Sequence, residues 1–236
     1  MTQTMAAQPS HSLKSISVFT DLPPATLAQI EKRCRWRRCE AGETIVDYLD
    51  ESDDVFFITR GEARVSIYSV DGKSITFSDL RPGDFFGEVA AVDGGARSAS
   101  IEARTDCVVA SMSAVTFREM LQSDAIVTSA VLRHLVAKIR ALTTRVYEFS
   151  ALAVSNRVQA EILRLGKLAP REGKRACIDP APTHAEVASR VSSHREAVTR
   201  ELNRLSRLGI VERRGKALII TDVEHLAAMV REVTGE

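Results

Sequence analysis

Chemistry concentrates first at Phe86-Gly87-Glu88 and at Arg97-Ser98-Ala99, with eight residues separating Glu88 from Arg97. A glycine lets the backbone come close to a ligand, and a helix starting there aims its first N–H groups at an anion. Arg97 offers paired, planar donors to a phosphate, and Ser98 adds a hydroxyl. Glu88 cannot favour a phosphate and suits a sugar hydroxyl instead. A plainer reading stands beside it: Gly-Glu is a common pair, and Glu88 with Arg97 also makes an ordinary surface ion pair.

A second constellation lies near the other end. Thr183-His184-Ala185-Glu186 spells a capping box, with Thr183 as N-cap and Glu186 at N3, and Ser193-His194-Arg195-Glu196 spells another ten residues later. The interval holds one helix of about eight residues and a tight turn. Val187 and Val191 face inward from the first helix, and Ala188 is small enough for a close crossing. In the second helix Val198, Leu202, Leu205 and Leu208 form the buried stripe. Arg195, Glu196, Thr199, Arg200 and Asn203 share the opposite side. That is the layout of a helix-turn-helix, whose second helix enters the major groove with its first turns at the base edges. Arg pairs bidentately with guanine and Glu accepts from cytosine N4, so a carboxylate among arginines suits base discrimination better than plain phosphate binding. Ile210 to Ile220 reads as two strands around Arg213, Arg214 and Lys216, a wing whose tip reaches phosphates. The competing reading is a solvated polar helix face.

These residues need a frame. Residues 1–17 read as a loose lead-in, and Pro23-Pro24 opens a helix over roughly 24–35 with Leu27 and Ile30 on one face. Six runs predict strands: Thr44–Tyr48, Val55–Arg60, Ala63–Val70, Ser74–Leu80, Ala99–Ala103 and Cys107–Met112, with Asp71-Gly72 as a hairpin signal. Short strands with close turns predict a compact barrel or jelly roll. From Ser113 the period becomes helical, first in a short helix with Val115, Phe117 and Leu121. A long helix follows over about 124–149, carrying Val131, Leu132, Leu135, Ile139, Leu142, Val146 and Phe149 at spacings of three, four and seven. So long a stripe either packs on the barrel or forms a coiled-coil-like dimer seam, and its length favours the seam. A helix over 155–168, a loop from Pro170 to Pro182, and a last helix from Asp222 to about Val233 complete the chain. The expected fold class is α+β. A jelly-roll-like β-roll sensor domain spans 18–123, a long dimerisation helix 124–150, and a winged helix-turn-helix domain 151–236.

The 236 residues carry a formal net charge of +1, which excludes a chain-wide polyelectrolyte. The total hides an asymmetry: residues 1–154 sum to −3 and residues 155–236 to +4. Cys34, Cys39, Cys107 and Cys177 form neither a disulfide framework nor a metal-ligand set, which suits reduced thiols in the cytoplasm. No stretch reaches the roughly 20 apolar residues of a membrane span, and no apolar signal-peptide core opens the chain. His11, His134, His184, His194 and His225 are scattered, with no Ser-His-Asp set, metal cluster or phosphate-binding Walker loop. The expectation is a protein that is not an enzyme and uses neither a catalytic cofactor nor a metal.

Taken in order, the Phe-Gly-Glu and Arg-Ser-Ala strings in a Gly-punctuated β-roll, the long helix and the winged helix-turn-helix resemble the CRP–FNR family of transcription regulators. The similarity is to its cyclic AMP receptor protein branch and runs from about residue 18 to about 221. It implies that Gly87 lends its backbone to a cyclic nucleotide, Glu88 binds the ribose 2′-hydroxyl, and Arg97 and Ser98 hold the cyclic phosphate. Phe86, Val89, Ala90 and Ala99 complete the cassette. On the purine side it points to Leu142, Thr143 and Thr144, with Thr143 acting alone or, after a small register shift, with Thr144. Lys138, one turn earlier, approaches the phosphate region. Cyclic AMP leads as the ligand, and a threonine-rich site also suits cyclic GMP. Arg195, Glu196 and Arg200 match base-reading residues of the branch that reads TGTGA-type half-sites in a palindrome; Ala197 departs from the threonine common beside them. Thr183, His184, Ser193, His194, Thr199, Arg213 and Lys216 join the implied DNA contacts. The implied partners are double-stranded DNA, a second copy of the chain along the long helix, and RNA polymerase, with no membrane. An iron–sulfur relative needs a cysteine cluster before Cys34, and a haem-sensing one needs a Cys/His pair in the β-roll; neither is present.

Overall fold

The computed structural model describes residues 12–68 and 74–234. Most of the N-terminal lead-in, with His11, and the Asp71-Gly72 turn lie outside the described residues. The chain divides into two compact units, residues 1–67 with 77–138, and residues 68–76 with 139–236.

In the first unit Pro24 occupies the first helical position of α1 (Pro24–Lys32), where its missing N–H costs nothing. The helix stops three residues before the expected end, because Arg35–Cys39 forms a strand, β1. The strands β2 (Thr44–Val46), β3 (Val55–Arg60), β4 (Ala63–Tyr68), β5 (Ser74–Leu80), β6 (Phe85–Phe86), β7 (Ser100–Ala103) and β8 (Cys107–Met112) follow. They form two four-stranded antiparallel sheets, ordered β1-β8-β3-β6 and β2-β7-β4-β5. Three of the six expected strands have the expected bounds, and β1 and the two-residue β6 were not foreseen. An arginine-rich strand shows no apolar alternation. β1 is nevertheless held by five residue pairs with β8, from Arg35↔Ser111 to Cys39↔Cys107.

The side-chain alternation of β3 explains two cores. Phe56 points between the sheets with Ile45, Ile58, Phe86, Ile101 and Val109. Phe57 points the other way, onto Phe19, Phe85, Met112 and Phe117. A sheet covered on both faces needs a nearly continuous apolar strand, and Val55 to Ile58 are all buried. The outer layer includes α3 (Ala114–Ser123), capped by Ser113 accepting from the Thr116 N–H, and the start of α4 (Ala125–Ala151). Val127 and Val131 of α4 sit in this core. Val131 therefore belongs to the core of the first unit and not to the exposed stripe.

The second unit holds the rest of α4 and then α5 (Val154–Leu168), β9 (Arg171–Glu172), β10 (Arg175–Ile178), α6 (His184–Arg190), α7 (Arg195–Arg207), β11 (Val211–Arg214), β12 (Ala217–Ile220) and α8 (Val223–Thr234). The segment expected as a plain loop contains two strands of a sheet ordered β11-β12-β10-β9. β9 and β10 form a tight hairpin, Arg175↔Glu172 and Ala176↔Arg171, and it joins the sheet through a non-local pairing, Ala176↔Ile220 to Ile178↔Leu218, which nothing in the local pattern announces. Helices α5 to α8 and this sheet share one core built on Val158, Ile162, Val187, Val191, Val198, Leu205, Ile220 and Leu226. Leu208, expected in the buried stripe of α7, caps that helix and is exposed.

Candidate functional site

Gly87 ends β6 and begins α2 (Glu88–Asp93) with φ +86°. A side chain there is excluded twice. The conformation is left-handed, and a Cβ would lie 2.6 Å from the Asp54 carbonyl oxygen and 2.7 Å from an Arg97 nitrogen. Arg97 is 3% exposed. Its Nε donates to Ser52 Oγ at 3.0 Å, and its terminal nitrogens donate to the carbonyls of Asp54 at 2.8 Å and Gly87 at 3.2 Å. The guanidinium also lies 5.7 Å from the Phe56 ring centroid, and Phe56 stacks on Phe86 at 5.0 Å. Burial pulls the Arg97 pKa down, against Asp50, Asp54, Asp53 and Glu88, which pull it up.

Glu88 is 1% exposed, and its partner is Lys138 of α4, 2.6 Å away. The two charges of the cassette are thus buried and separately bonded, so the plain surface ion pair between Glu88 and Arg97 is not what the fold builds. Phe86 and Ala90 are buried; Val89 and Ser98 are exposed, and Ala99 is half-buried. Leu142, Thr143 and Thr144 are exposed on α4, and both threonine hydroxyls donate back to the helix, to the carbonyls of Ile139 and Arg140.

The α4 stripe is largely exposed. Leu132 is 57% exposed, Ile139 62%, Leu142 52%, Val146 65% and Phe149 37%. With half-buried Leu135 they repeat at alternating intervals of three and four, the spacing of a coiled-coil seam.

In the second unit Thr183 forms the full capping box with Glu186. The expected box at Ser193 is absent: α7 begins one residue later, with His194 as N-cap and no side-chain cap bond. Ser193 therefore lies outside the helix and Glu196 at N2, where it cannot reach back as a box requires. The turn between the helices is made by Ser192 at φ +47°. Arg195, Glu196, Thr199, Arg200, Asn203 and Arg207 line an open concavity of about 460 Å³ on α7. Beneath them Glu201, 5% exposed, accepts from Gln159 of α5 at 2.8 Å and from Nε and Nη2 of Arg204. This bond fixes α7 against α5. The wing turns at Gly215-Lys216, with Gly215 at φ +57°, and exposes Arg213, Arg214 and Lys216. Arg214 pairs with Glu212 at 2.8 Å. Among the described residues no group of three His, Cys, Asp or Glu side chains is placed to hold a metal ion.

The cyclic nucleotide-binding domain family matches residues 36–124, and the Crp-like helix-turn-helix domain family matches residues 156–229. The chain belongs to the CRP–FNR family. It is a cyclic-nucleotide-binding transcription regulator with a helix-turn-helix DNA-binding domain. This CRP–FNR chain is 29% identical over 198 residues to the cAMP-activated global transcriptional regulator Vfr of Pseudomonas aeruginosa, covering 82% of this chain and 92% of that one. It is 24% identical over 220 residues to the CRP-like cAMP-activated global transcriptional regulator of Mycobacterium tuberculosis, covering 93% and 98%. The fold is shared with a CooA mutant from Carboxydothermus hydrogenoformans, TM-score 0.75 at 18% identity over 86% of this chain and 90% of that one. It is shared too with the c-di-GMP responsive global regulator CLP of Xanthomonas campestris, TM-score 0.72 at 19% identity over 84% and 99%.

Two features of this CRP–FNR regulator were not found from sequence. Ser52 and Asp54, which hold Arg97, sit in the acidic run Asp50-Glu51-Ser52-Asp53-Asp54. That run was a usable signal, but charge runs ordinarily face solvent. The other is a buried charge network in the second unit. Arg145 Nη2 lies 2.9 Å from Glu161, Arg164 bonds both Glu161 and Glu148, and Arg190 lies 3.6 Å from Glu161. It ties the end of α4 to α5 and α6. Its members come from three helices, and no spacing rule brings them together.

Proposed function

We propose that the chain is a homodimeric regulator gated by cyclic AMP and reading a TGTGA-like palindrome. In this reading residues 18–123 sense the nucleotide, 124–150 dimerise, and 151–236 bind DNA. The protein works in the cytoplasm on double-stranded DNA and RNA polymerase, not as an enzyme and without a catalytic cofactor. The observation that carries the reading is the pairing of buried Arg97 and buried Glu88 around Gly87. Burying a charge is costly unless it is paired and hydrogen-bonded, and the bonds to Gly87, Asp54 and Lys138 offset that cost while keeping Arg97 and Glu88 beside the Gly87 turn. Arg97 and Ser98 take the cyclic phosphate, Glu88 the 2′-hydroxyl, and the Gly87 turn admits the ribose between them. Phe86, Val89, Ala90 and Ala99 wall the site. Lys138 shares Glu88 with the ribose, and Thr143 with Thr144, beside Leu142, faces the purine.

On the DNA side Arg195, Glu196 and Arg200 read bases from α7. Thr183, His184, Ser193, His194, Thr199, Arg213 and Lys216 position the unit on the backbone. The exposed α4 stripe supports dimerisation, since apolar side chains at that spacing are stable in water only when covered. Calorimetric titration with cyclic AMP and cyclic GMP tests the reading: saturable binding of cyclic AMP is expected, and no heat from either at millimolar concentration contradicts it.

A second reading has its own observation. Arg97 and Glu88 already hold partners within the chain, which suits a regulator active without ligand, and the threonines of α4 keep cyclic GMP open. Equal DNA affinity with and without either nucleotide favours this second reading.

A further inference from the structure

His184 stands at the first position of α6, half-buried. Its Nδ1 is 2.6 Å from Thr199 Oγ1 on α7. That hydroxyl has a single hydrogen, donated to the Arg195 carbonyl at 2.9 Å. Oγ1 therefore receives from the ring, and Nδ1 carries a hydrogen in every protonation state. Only Nε2 is left to change: it accepts when the ring is neutral and donates when it is charged. The charged groups acting on the ring come from both elements beside it, Arg195 of α7 and Arg213 of β11, and they add to burial in holding it neutral. On its own helix Glu186 is bonded back to Thr183.

We propose that His184 is a proton-linked phosphate contact, taking up a proton as the helix-turn-helix closes on DNA and then donating from Nε2 to a backbone phosphate. The proposal rests on the DNA-binding reading and adds a regulation to it. A neutral Nε2 cannot donate to a phosphate oxygen. The phosphates that offset Arg195 and Arg213 remove the repulsion that kept the ring neutral, and they favour imidazolium. The bound state then holds more protons than the free state, so affinity rises as pH falls. The window runs from the DNA-bound pKa down to the depressed free-state one, which lies below the ordinary 6.5 or so of histidine. Within it affinity changes by up to about tenfold per pH unit for each helix-turn-helix engaged.

The test measures duplex affinity from pH 5.5 to 8.0 at fixed ionic strength with cyclic AMP present, on a TGTGA palindrome and on a scrambled duplex. Wild type should gain affinity for both duplexes as pH falls. His184→Gln, which keeps a side-chain donor for Thr199, should lose that slope, so that its affinity falls furthest behind wild type at the acid end of the range. His194→Gln, a control at the neighbouring cap, should keep the slope. In the wild-type protein, ring nitrogen NMR should show Nδ1 protonated throughout and the His184 pKa rising when DNA is added. An unchanged slope in His184→Gln, a slope confined to the palindrome, or a ring pKa that DNA leaves unmoved overturns the proposal. No binding to either duplex at any pH is a different failure, since it removes the DNA-binding reading itself.

Discussion

Arg97 has two tasks that are separable by substitution. Its guanidinium caps the carbonyls of Asp54 and Gly87 and the Ser52 hydroxyl, so it braces the cassette before any nucleotide arrives. Arg97→Gln should abolish nucleotide binding and also lower stability. A buried carbonyl left without a donor costs about 1–3 kcal/mol, and a fall in the urea midpoint would report it. Full stability in this variant would mean that the loop does not depend on Arg97. His134 gives a pH prediction at the same scale. Its ring packs on Phe85 at 4.4 Å, and Nε2 is buried with no hydrogen-bond partner among the described residues. Burial first, then Lys138, holds its pKa down. The native state keeps the ring neutral while the unfolded chain protonates near 6.5, so stability is present above about that pH and falls below it. His134→Leu should flatten the decline between pH 7 and 5, read from urea midpoints; an unchanged slope would contradict this. Gly87, Glu88 and Arg97 were legible as a set because their residue types dictate a chemistry. Ser52 and Asp54 were not, because each lies 43 or more positions from Arg97; Lys138 was expected near the phosphate region, but its bond to Glu88, 50 positions away, was not read.

The same contrast between local and distant signals holds for the elements. The capping box at Thr183 is written within four residues and forms as expected. The second box failed by one position, because Ser193 carries the signal while His194 takes the cap. β1 was hidden by its arginines, and the short β9–β10 hairpin by its dependence on β12, which pairs with β10 from some forty residues away. The α4 heptad was legible along most of its length, and only the fate of Val131 needed the fold. The α4–α5–α6 charge network carries an element-scale prediction. Glu161 is fully buried and faces Arg145, Arg164 and Arg190. Glu161→Gln removes the central carboxylate and leaves clustered guanidinium groups, which should cost about 3–5 kcal/mol and lower the melting temperature of the second unit. A shift under one degree would mean that water already screens these charges.

At the scale of the whole molecule the near-zero net charge is an average of two halves, −3 over residues 1–154 and +4 over 155–236. So small an excess of basic charge gives weak non-specific binding. In the proposed dimer, base contacts made twice supply the affinity that bulk charge does not. Ile139→Glu places a carboxylate in the middle of the exposed heptad and should yield monomers by sedimentation with at least tenfold weaker palindrome binding. A dimer that survives it would move the interface elsewhere. Arg200→Ala should cost about 1–3 kcal/mol on the palindrome and relax base preference, whereas an equal loss on every sequence would make it a phosphate contact. The most direct test of the whole account is the affinity of the purified protein for a labelled TGTGA palindrome, by fluorescence anisotropy, with and without saturating cyclic AMP. The account predicts binding that cyclic AMP tightens by about 5–150-fold, the range of a 1–3 kcal/mol coupling, with no such gain on a scrambled duplex. Binding that cyclic AMP leaves unchanged, or no binding in either state, would contradict it.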